Sequence, residues 1–181
     1  MEWMFMPLKR YADFGGRSRR MEFWMYQLFL ILLWIVIFVV MMVVGMGAAG
    51  LAANGGQPSA GGMVGMIAAM GMFGIVILVV WLGLLLPTLA VAVRRLHDTN
   101  RSGWWIMIAI VPYLISMALS IMAMSAQSTG LSGIAMIFSL LQLIGAIVLI
   151  VFYCLPGTSG PNQFGPDPLG GAPANLSQTF Q

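Results

Sequence analysis

The chain has 181 residues, of which 60% are hydrophobic and only 7% are charged, whereas a typical soluble domain carries about 25% charged residues. The eight Lys and Arg and the five Asp and Glu lie in residues 2–22, in residues 94–101 and at Asp167. The uncharged stretches between them are long enough for membrane helices, which need about 20 apolar residues each. This composition excludes a soluble domain and predicts an integral membrane protein.

The cysteine and histidine content limits the metal and redox chemistry of a single chain. Cys154 is the only cysteine, so neither an intrachain disulfide nor a thiolate cluster can form. His97 is the only histidine, which excludes a multi-histidine zinc site and bis-histidine haem ligation. We therefore expect no cofactor. A cleavable signal peptide is not expected either, because the first apolar stretch runs for about 24 residues, beyond the usual 7 to 15 of a signal core.

Apolar windows between helix breakers predict an all-α fold with four transmembrane helices, at about 23–46, 66–93, 104–124 and 133–155. Pro87 predicts a kink in the second helix, because proline cannot donate to the carbonyl of Gly83 four residues earlier. Ser102 is a predicted N-cap of the third helix. We expect residues 1–168 to form a single transmembrane domain and residues 169–181 to form a disordered tail.

The N-terminal segment 1–22 combines basic and aromatic side chains, which is typical of an element lying at the membrane surface. Pro7 and the pair Gly15–Gly16 limit any helix here to about two turns. A basic patch can also indicate nucleic-acid binding, but three acidic residues offset three of the five basic ones. We expect no nucleic-acid partner.

The distribution of positive charge predicts the orientation in the membrane. With four spans, residues 1–22, residues 94–103 and the chain beyond 156 share one side, and all eight Lys and Arg lie there. The positive-inside rule then makes both termini cytoplasmic. Trp24, Trp104 and Trp105 stand where the predicted spans meet this side, which is the usual depth for an amphipathic ring.

The segment Arg94 to Trp105 carries the strongest functional signal, since it contains three of the eight basic residues, the single histidine and two tryptophans. Guanidinium groups bind phosphate in bidentate geometry and tryptophan anchors at headgroup depth, so an anion or lipid-phosphate site is chemically reasonable. The alternative is that these arginines only set the orientation of the neighbouring span.

Other chemistry has weaker signals. His97, Asp98 and Ser102 contain the residue types of a catalytic triad, but adjacent His and Asp side chains on a helix point about 100° apart. Asp98 is expected to pair with Arg94 or to cap the loop. Asp167, the only charge after Arg101, is expected to pair with an arginine.

The predicted spans also disfavour transport and metal binding. They contain no ionisable side chain except Cys154, which disfavours an ion-coupled transporter. Met63, Met66, Met70 and Met72 could bind Cu(I), but methionine is also an ordinary filler of apolar contacts and occurs in every span. We expect no metal site.

Three stretches together resemble the bacterial inner-membrane family called domain of unknown function 805, the YhaH-like proteins. They are Phe14 to Trp24, Leu86–Pro87 with Arg94 to Trp105, and Asn162 to Pro168. The resemblance covers about residues 14–168 and implies a multi-pass protein of the bacterial inner membrane, with no activity assigned. Asn100 stands where the family often has glycine, but asparagine tolerates the left-handed backbone of such a turn. The outer loop 47–62 is long for the family.

The sequence thus predicts a non-enzymatic inner-membrane protein that binds partner membrane proteins, anionic lipid or both through a cytoplasmic-face cluster. The alternatives are an oligomeric channel or facilitator, with small residues such as Gly61, Gly65 and Ala69 at helix contacts, and a membrane enzyme acting on lipid headgroups. The candidate binding residues are Arg17, Arg20, Glu22, Arg94, Arg95, His97, Asp98, Arg101, Trp104, Trp105, Asn162 and Asp167.

The predicted orientation can be tested with a single engineered cysteine. We expect Gln57→Cys, in a Cys154→Ser background, to react with a membrane-impermeant maleimide in intact spheroplasts, because the loop around residue 57 is predicted to face outward. Labelling that appears only after the spheroplasts are permeabilised would contradict the orientation.

Overall fold

The computed structural model describes residues 2–54, 57–58 and 60–170. Its helices are α1 (Glu2–Lys9), α2 (Arg20–Ala52), α3 (Ala60–Asp98), α4 (Met107–Ala126) and α5 (Thr129–Cys154), with a 3₁₀ turn at Gly103–Ile106. Strands β1 (Ala53–Asn54) and β2 (Gln57–Pro58) pair antiparallel, with Ala53 opposite Pro58. Within the described residues, four helices are long and apolar enough to cross a membrane, which confirms the predicted fold class.

The observed helices extend beyond several predicted ends. Helix α2 begins at Arg20 and not near 23, and α3 runs from Ala60 to Asp98 and not from 66 to 93. The predictions stopped where charges or glycines interrupt the apolar run. A glycine inside a helix costs only about 1 kcal/mol, and charged side chains remain helical when they find partners. Helix α5 begins at Thr129 because Ser128 is its N-cap and accepts from the Leu131 amide at 3.4 Å.

Both ends of the described chain are ordered, including residues 169 and 170, which belong to the predicted tail. Helix α1 has eight residues, about the two turns expected from Pro7 and the glycine pair. The described chain ends in a turn, in which the Gly170 amide donates to the Asp167 carbonyl at 3.0 Å. Residues 171–181 of the predicted disordered tail lie outside the described residues.

The described chain divides into two compact units. The first contains residues 2–12 and 24–88, and the second contains residues 13–23 and 89–170. In the first unit α1 packs on α2 through the rings of Phe5 and Phe29, whose centroids are 5.4 Å apart in edge-to-face geometry. The prediction that residues 1–168 form a single domain stays a prediction.

In the second unit, α4 and α5 form a closely packed helical hairpin. A Cβ atom at Gly145 of α5 would lie 2.5 Å from the Ile108 carbonyl oxygen of α4, so this contact requires glycine. The hydroxyls of Ser116 and Ser120 donate to carbonyls of α4 itself, at 2.8 and 2.7 Å. The hairpin therefore packs by close backbone approach, which small residues allow in membrane helices.

In the first unit, Pro87 interrupts the hydrogen bonding of α3, and a side chain from outside the helix supplies the missing donor. Pro87 is fully buried, and it has no N–H to donate to the Gly83 carbonyl. The hydroxyl of Tyr11 donates to that carbonyl at 2.5 Å. Next to it, the Thr88 hydroxyl donates to the Leu84 carbonyl at 2.6 Å and lies 3.3 Å from the Tyr26 hydroxyl. Tyr11 thus satisfies an acceptor that the proline leaves open.

The role of Tyr11 can be measured with a double-mutant cycle. We expect Tyr11→Phe to lower the free energy of unfolding in mixed micelles by about 1 kcal/mol, because the Gly83 carbonyl loses its donor. In a Pro87→Ala background the new amide of residue 87 can donate to Gly83, so Tyr11→Phe should cost much less there. Equal losses in the two backgrounds would contradict this assignment.

Candidate functional site

All twelve predicted site residues lie in the second unit, and many of them meet where α3 ends. Asp98 is the last residue of α3, and its carboxylate joins two buried arginines. Oδ1 accepts from Arg17 Nε at 3.0 Å and lies 2.9 Å from Arg17 Nη2, while Oδ2 accepts from Arg95 Nη1. The predicted pairing of Asp98 with Arg94 is wrong, because Arg95 at i−3 and the distant Arg17 occupy both carboxylate oxygens.

The arginines also satisfy carbonyl groups at the end of α5. The last carbonyls of a helix have no partner inside the helix. Arg95 donates to the Tyr153 carbonyl at 3.1 Å and to the Leu155 carbonyl, and Arg20 donates to the Cys154 carbonyl at 3.3 Å. Positive charge at this end of a helix also complements its dipole. Arg95 and Arg20 therefore cap α5.

The segment after α5 caps α3 in return. The backbone amide of Thr158 donates to the Asp98 carbonyl at 2.8 Å, and Nδ2 of Asn162 donates to the His97 carbonyl at 2.9 Å. Arg17 holds the same segment by donating to the Gly160 carbonyl at 2.6 Å and to the Thr158 carbonyl. A Cβ atom at Gly157 would collide with the Asp98 carboxylate, so a larger residue there would displace the side chain that joins the two arginines.

Arg94 belongs to a second ion pair in this unit. Its side chain is 0% exposed, and Nη2 donates to Glu22 Oε1 at 3.2 Å. Asp13 is 3.8 Å from Arg94 Nη1 with a side chain that is 44% exposed. The Arg94 carbonyl accepts from the Ser18 amide at 3.1 Å. Arg94 therefore holds the first turn of α2, through Glu22, and the segment before it, through Ser18, against the end of α3.

His97 lies between the N-terminal segment and the final loop. Nδ1 is 3.2 Å from the Gly16 carbonyl oxygen, and the ring stacks on Phe164 with a centroid distance of 3.9 Å and an interplanar angle of 2°. Asn162 and Gly165 form a backbone bridge that places Phe164 in this position. His97, Asp98 and Ser102 are thus each held by partners outside the trio.

Asp167 organises the turn that ends the described chain. Its oxygens accept from the Leu169 amide at 2.9 Å and from the Gly160 amide at 3.1 Å. These two hydrogen bonds lower the pKa of Asp167, with a smaller contribution from the charges of Arg17 and Arg19. The expected arginine partner is therefore replaced by backbone amides, and Arg19 donates instead to the Pro168 carbonyl at 2.6 Å.

Aromatic residues and Arg101 form another edge of this unit. The Arg101 guanidinium lies 4.0 Å from the centroid of the Phe152 ring, and Trp105 meets Phe152 edge-on at 5.3 Å. Ser102 accepts from the Trp104 amide at 3.4 Å, which confirms it as an N-cap. Asn100 has φ of 56°, the left-handed conformation expected at this turn.

An open cleft of about 370 Å³ lies beside the buried arginines. It is lined by Arg17, Arg19, Arg20, Met21, Asp98, Gly157, Thr158, Ser159, Asp167, Pro168 and Leu169. Arg17 turns its donors toward protein acceptors, whereas Arg20 is exposed. Arg20 is consequently the cation in this cleft that is best placed to meet a ligand.

Several residues of the site were not identified from the sequence. Thr158, Gly157, Phe164 and Arg19 all make contacts that define it. Thr158 and Arg19 contact main-chain oxygens, which leave no pattern in residue types, and Phe164 and Gly157 contact side chains that are distant in sequence. The only available signal was that Phe164 and Arg19 belong to the stretches that carry the family resemblance, and Thr158 and Gly157 immediately follow α5.

The bridging role of Asp98 predicts a large effect of a small substitution. We expect Asp98→Asn to lower the free energy of unfolding in mixed micelles by about 3 kcal/mol, because Arg17 and Arg95 would remain buried without their shared carboxylate. Glu2→Gln removes the same charge at exposed Glu2 in α1 and should cost less than about 1 kcal/mol. Similar losses for the two variants would contradict the bridge.

Comparison with known proteins gives a consistent family and location. The family described as "Protein of unknown function (DUF805)" matches residues 11–130 and 126–166. The inner membrane proteins YhaI and YhaH of Escherichia coli (strain K12) are each 31% identical to this chain over 168 residues, covering 93% of the chain and 96% and 97% of their own lengths. No solved structure matches. With its four apolar helices, the chain is an integral inner-membrane protein, and it belongs to the DUF805 family.

Proposed function

We propose that this chain is a non-enzymatic inner-membrane protein that binds anionic phospholipid in the cleft beside Arg20, and that partner membrane proteins bind the same region. The observation that carries this proposal is the exposed guanidinium of Arg20 in a cleft of about 370 Å³. Arginine binds phosphate oxygens through charge-assisted hydrogen bonds.

The surroundings of Arg20 support a lipid as the ligand. Met21 and Leu169 line the same cleft, with 61% and 74% of their surfaces exposed. Arg20 is also the first residue of α2, where the amide groups and the helix dipole favour an anion. A headgroup phosphate could thus meet Arg20 while apolar parts of the lipid contact Met21 and Leu169.

The contacts of the other candidate residues support a structural role. Arg17, Arg94 and Arg95 are buried, and their hydrogen bonds and ion pairs go to carboxylates and carbonyls of the protein. Because these three arginines bind the protein itself, Arg20 and the neighbouring Arg19 are the remaining cations that line the cleft. The proposal therefore rests on fewer arginines than the sequence predicted.

The two alternative functions have less support. A headgroup enzyme built on His97 would need a partner for proton transfer, but Asp98 is bonded to arginines and Ser102 accepts from the Trp104 amide. An oligomeric channel would place its pore between chains, and the contacts within one chain do not bear on it. Both stay predictions from the sequence.

Lipid retention in mild detergent provides the test. We expect native mass spectrometry of the purified protein to show bound anionic phospholipid, and Arg20→Gln to weaken its affinity about tenfold through loss of a charge-assisted hydrogen bond. Lys9→Gln removes the same charge from exposed Lys9 in α1 and serves as the control for net charge.

The two variants separate specific binding from general electrostatic attraction. Retention of lipid by Lys9→Gln together with its loss in Arg20→Gln supports the proposed cleft. Unchanged affinity in Arg20→Gln, or equal losses in both variants, would overturn it.

A further inference from the structure

A second cavity in the same unit is separate from the arginine cleft and has different chemistry. It measures about 330 Å³ and is lined by Val93, His97, Ser102, Gly103, Trp104 and Met107. A smaller cavity of about 260 Å³ shares Ser102 and Trp104 with it and also contacts Trp105 and Ile108. Both lie where the chain turns into its third apolar span, Gly103–Ala126.

The hydrogen bond of His97 fixes which ring nitrogen can meet a ligand. Nδ1 is 3.2 Å from the Gly16 carbonyl oxygen, and a carbonyl can only accept, so Nδ1 carries the proton. In the neutral ring Nε2 is then an acceptor. Stacking on Phe164 holds the ring in place. His97 lines this cavity, and Nε2 is the acceptor that its neutral ring has left for a ligand, which calls for a ligand with an O–H or N–H group.

Ser102 and Trp104 add complementary groups. The Ser102 hydroxyl accepts from the Trp104 amide at 3.4 Å and keeps its own proton for donation. Trp104 is 78% exposed, and its indole N–H can only donate. Phosphate and ester oxygens are suitable acceptors for these two donors.

The positive charge of Arg101 favours an anionic lipid headgroup over one that contains an ammonium group. Arg101 directly precedes Ser102, and its guanidinium is held over Phe152, the ring that Trp105 contacts. A phosphoethanolamine group would bring an ammonium to the edge of the unit that carries this cation, whereas a phosphoglycerol group has hydroxyl donors and a net negative charge. We infer that this cavity binds the phosphoglycerol headgroup of an anionic phospholipid.

The surroundings of the cavity indicate that the ligand is a lipid and not a free glycerol phosphate. Val93 and Met107 line it, and Trp105 and Ile108 continue the same surface. Ile108 lies in α4, and Trp104 is the type of residue that anchors at headgroup depth. Acyl chains could therefore extend along the apolar span while the headgroup occupies the cavity.

The experiment compares two lipids of equal charge, of which only one has headgroup hydroxyls. Phosphatidylglycerol and phosphatidylmethanol are both phosphodiesters with one negative charge, but only the former carries hydroxyls. Binding is measured by native mass spectrometry in the Arg20→Gln background, so that the arginine cleft contributes little. We expect about a fivefold preference for phosphatidylglycerol, corresponding to one net hydrogen bond.

The variants assign that preference to the cavity. His97→Phe keeps a ring to stack on Phe164 but removes the acceptor for the glycerol hydroxyls, so it should abolish the preference while phosphatidylmethanol still binds. Ser102→Ala removes a donor to the phosphate that both lipids share, so it should weaken both to a similar extent. Met107→Leu, a volume-conserving apolar change in the same cavity, should retain the preference. A preference that survives His97→Phe would overturn the inference.

Further binding measurements identify the ligand and distinguish this cavity from the proposed Arg20 cleft. Tighter binding of phosphatidylethanolamine than of phosphatidylglycerol would also overturn the inference. So would binding of deacylated glycerophosphoglycerol as tight as that of phosphatidylglycerol itself. If Arg20→Gln leaves affinity unchanged while the His97-dependent preference persists, only the cleft proposal fails. If lipid binding depends on Arg20 but shows no preference between the two lipids, only the second cavity fails.

Discussion

The burial of three guanidinium groups at the end of α3 is the constraint that organises the second unit. A charge removed from water costs several kcal/mol unless it is paired and hydrogen-bonded. Asp98 and Glu22 supply the countercharges, and the carbonyl groups that end α5 supply further acceptors for Arg95. Those carbonyls need donors themselves. The buried cations and the open helix ends therefore satisfy each other.

This arrangement changes how the basic residues should be interpreted. Several arginines that look like a surface for phosphate in the sequence are engaged with the protein, and their removal would affect folding before it affected binding. We propose that ligands bind instead at the margins, at Arg20 in its cleft and at the ring of His97 beside Trp104. The two proposed sites differ in kind, because the first would use a cation and the second a hydrogen-bond acceptor.

The sequence predicted the membrane helices because their signal is local. Long uncharged runs identify spans, and Ser102 and Asn100 identified a cap and a left-handed turn that the structure contains. The partners of the site were not predictable in the same way. Asp98 could be assigned to Arg94 by helical spacing, but Arg17 is 81 residues away. Backbone acceptors such as the Tyr153 and Gly160 carbonyls have no residue-type signal at all. The role of Gly157 also went unrecognised, because its close approach to the Asp98 carboxylate exists only in the folded chain.

The late position in the sequence of the acceptors of Arg17 and Arg95 also implies an order of assembly. Both reach main-chain oxygens at residues 153–160, which a ribosome synthesises at the end of the last apolar helix and just after it. Until that stretch has emerged, a nascent chain holds cations whose final acceptors do not yet exist. The basic region at the end of α3 must therefore stay hydrated during insertion and close last. A truncation just after α5 would remove Thr158 and Gly160 and trap the protein in that unfinished state.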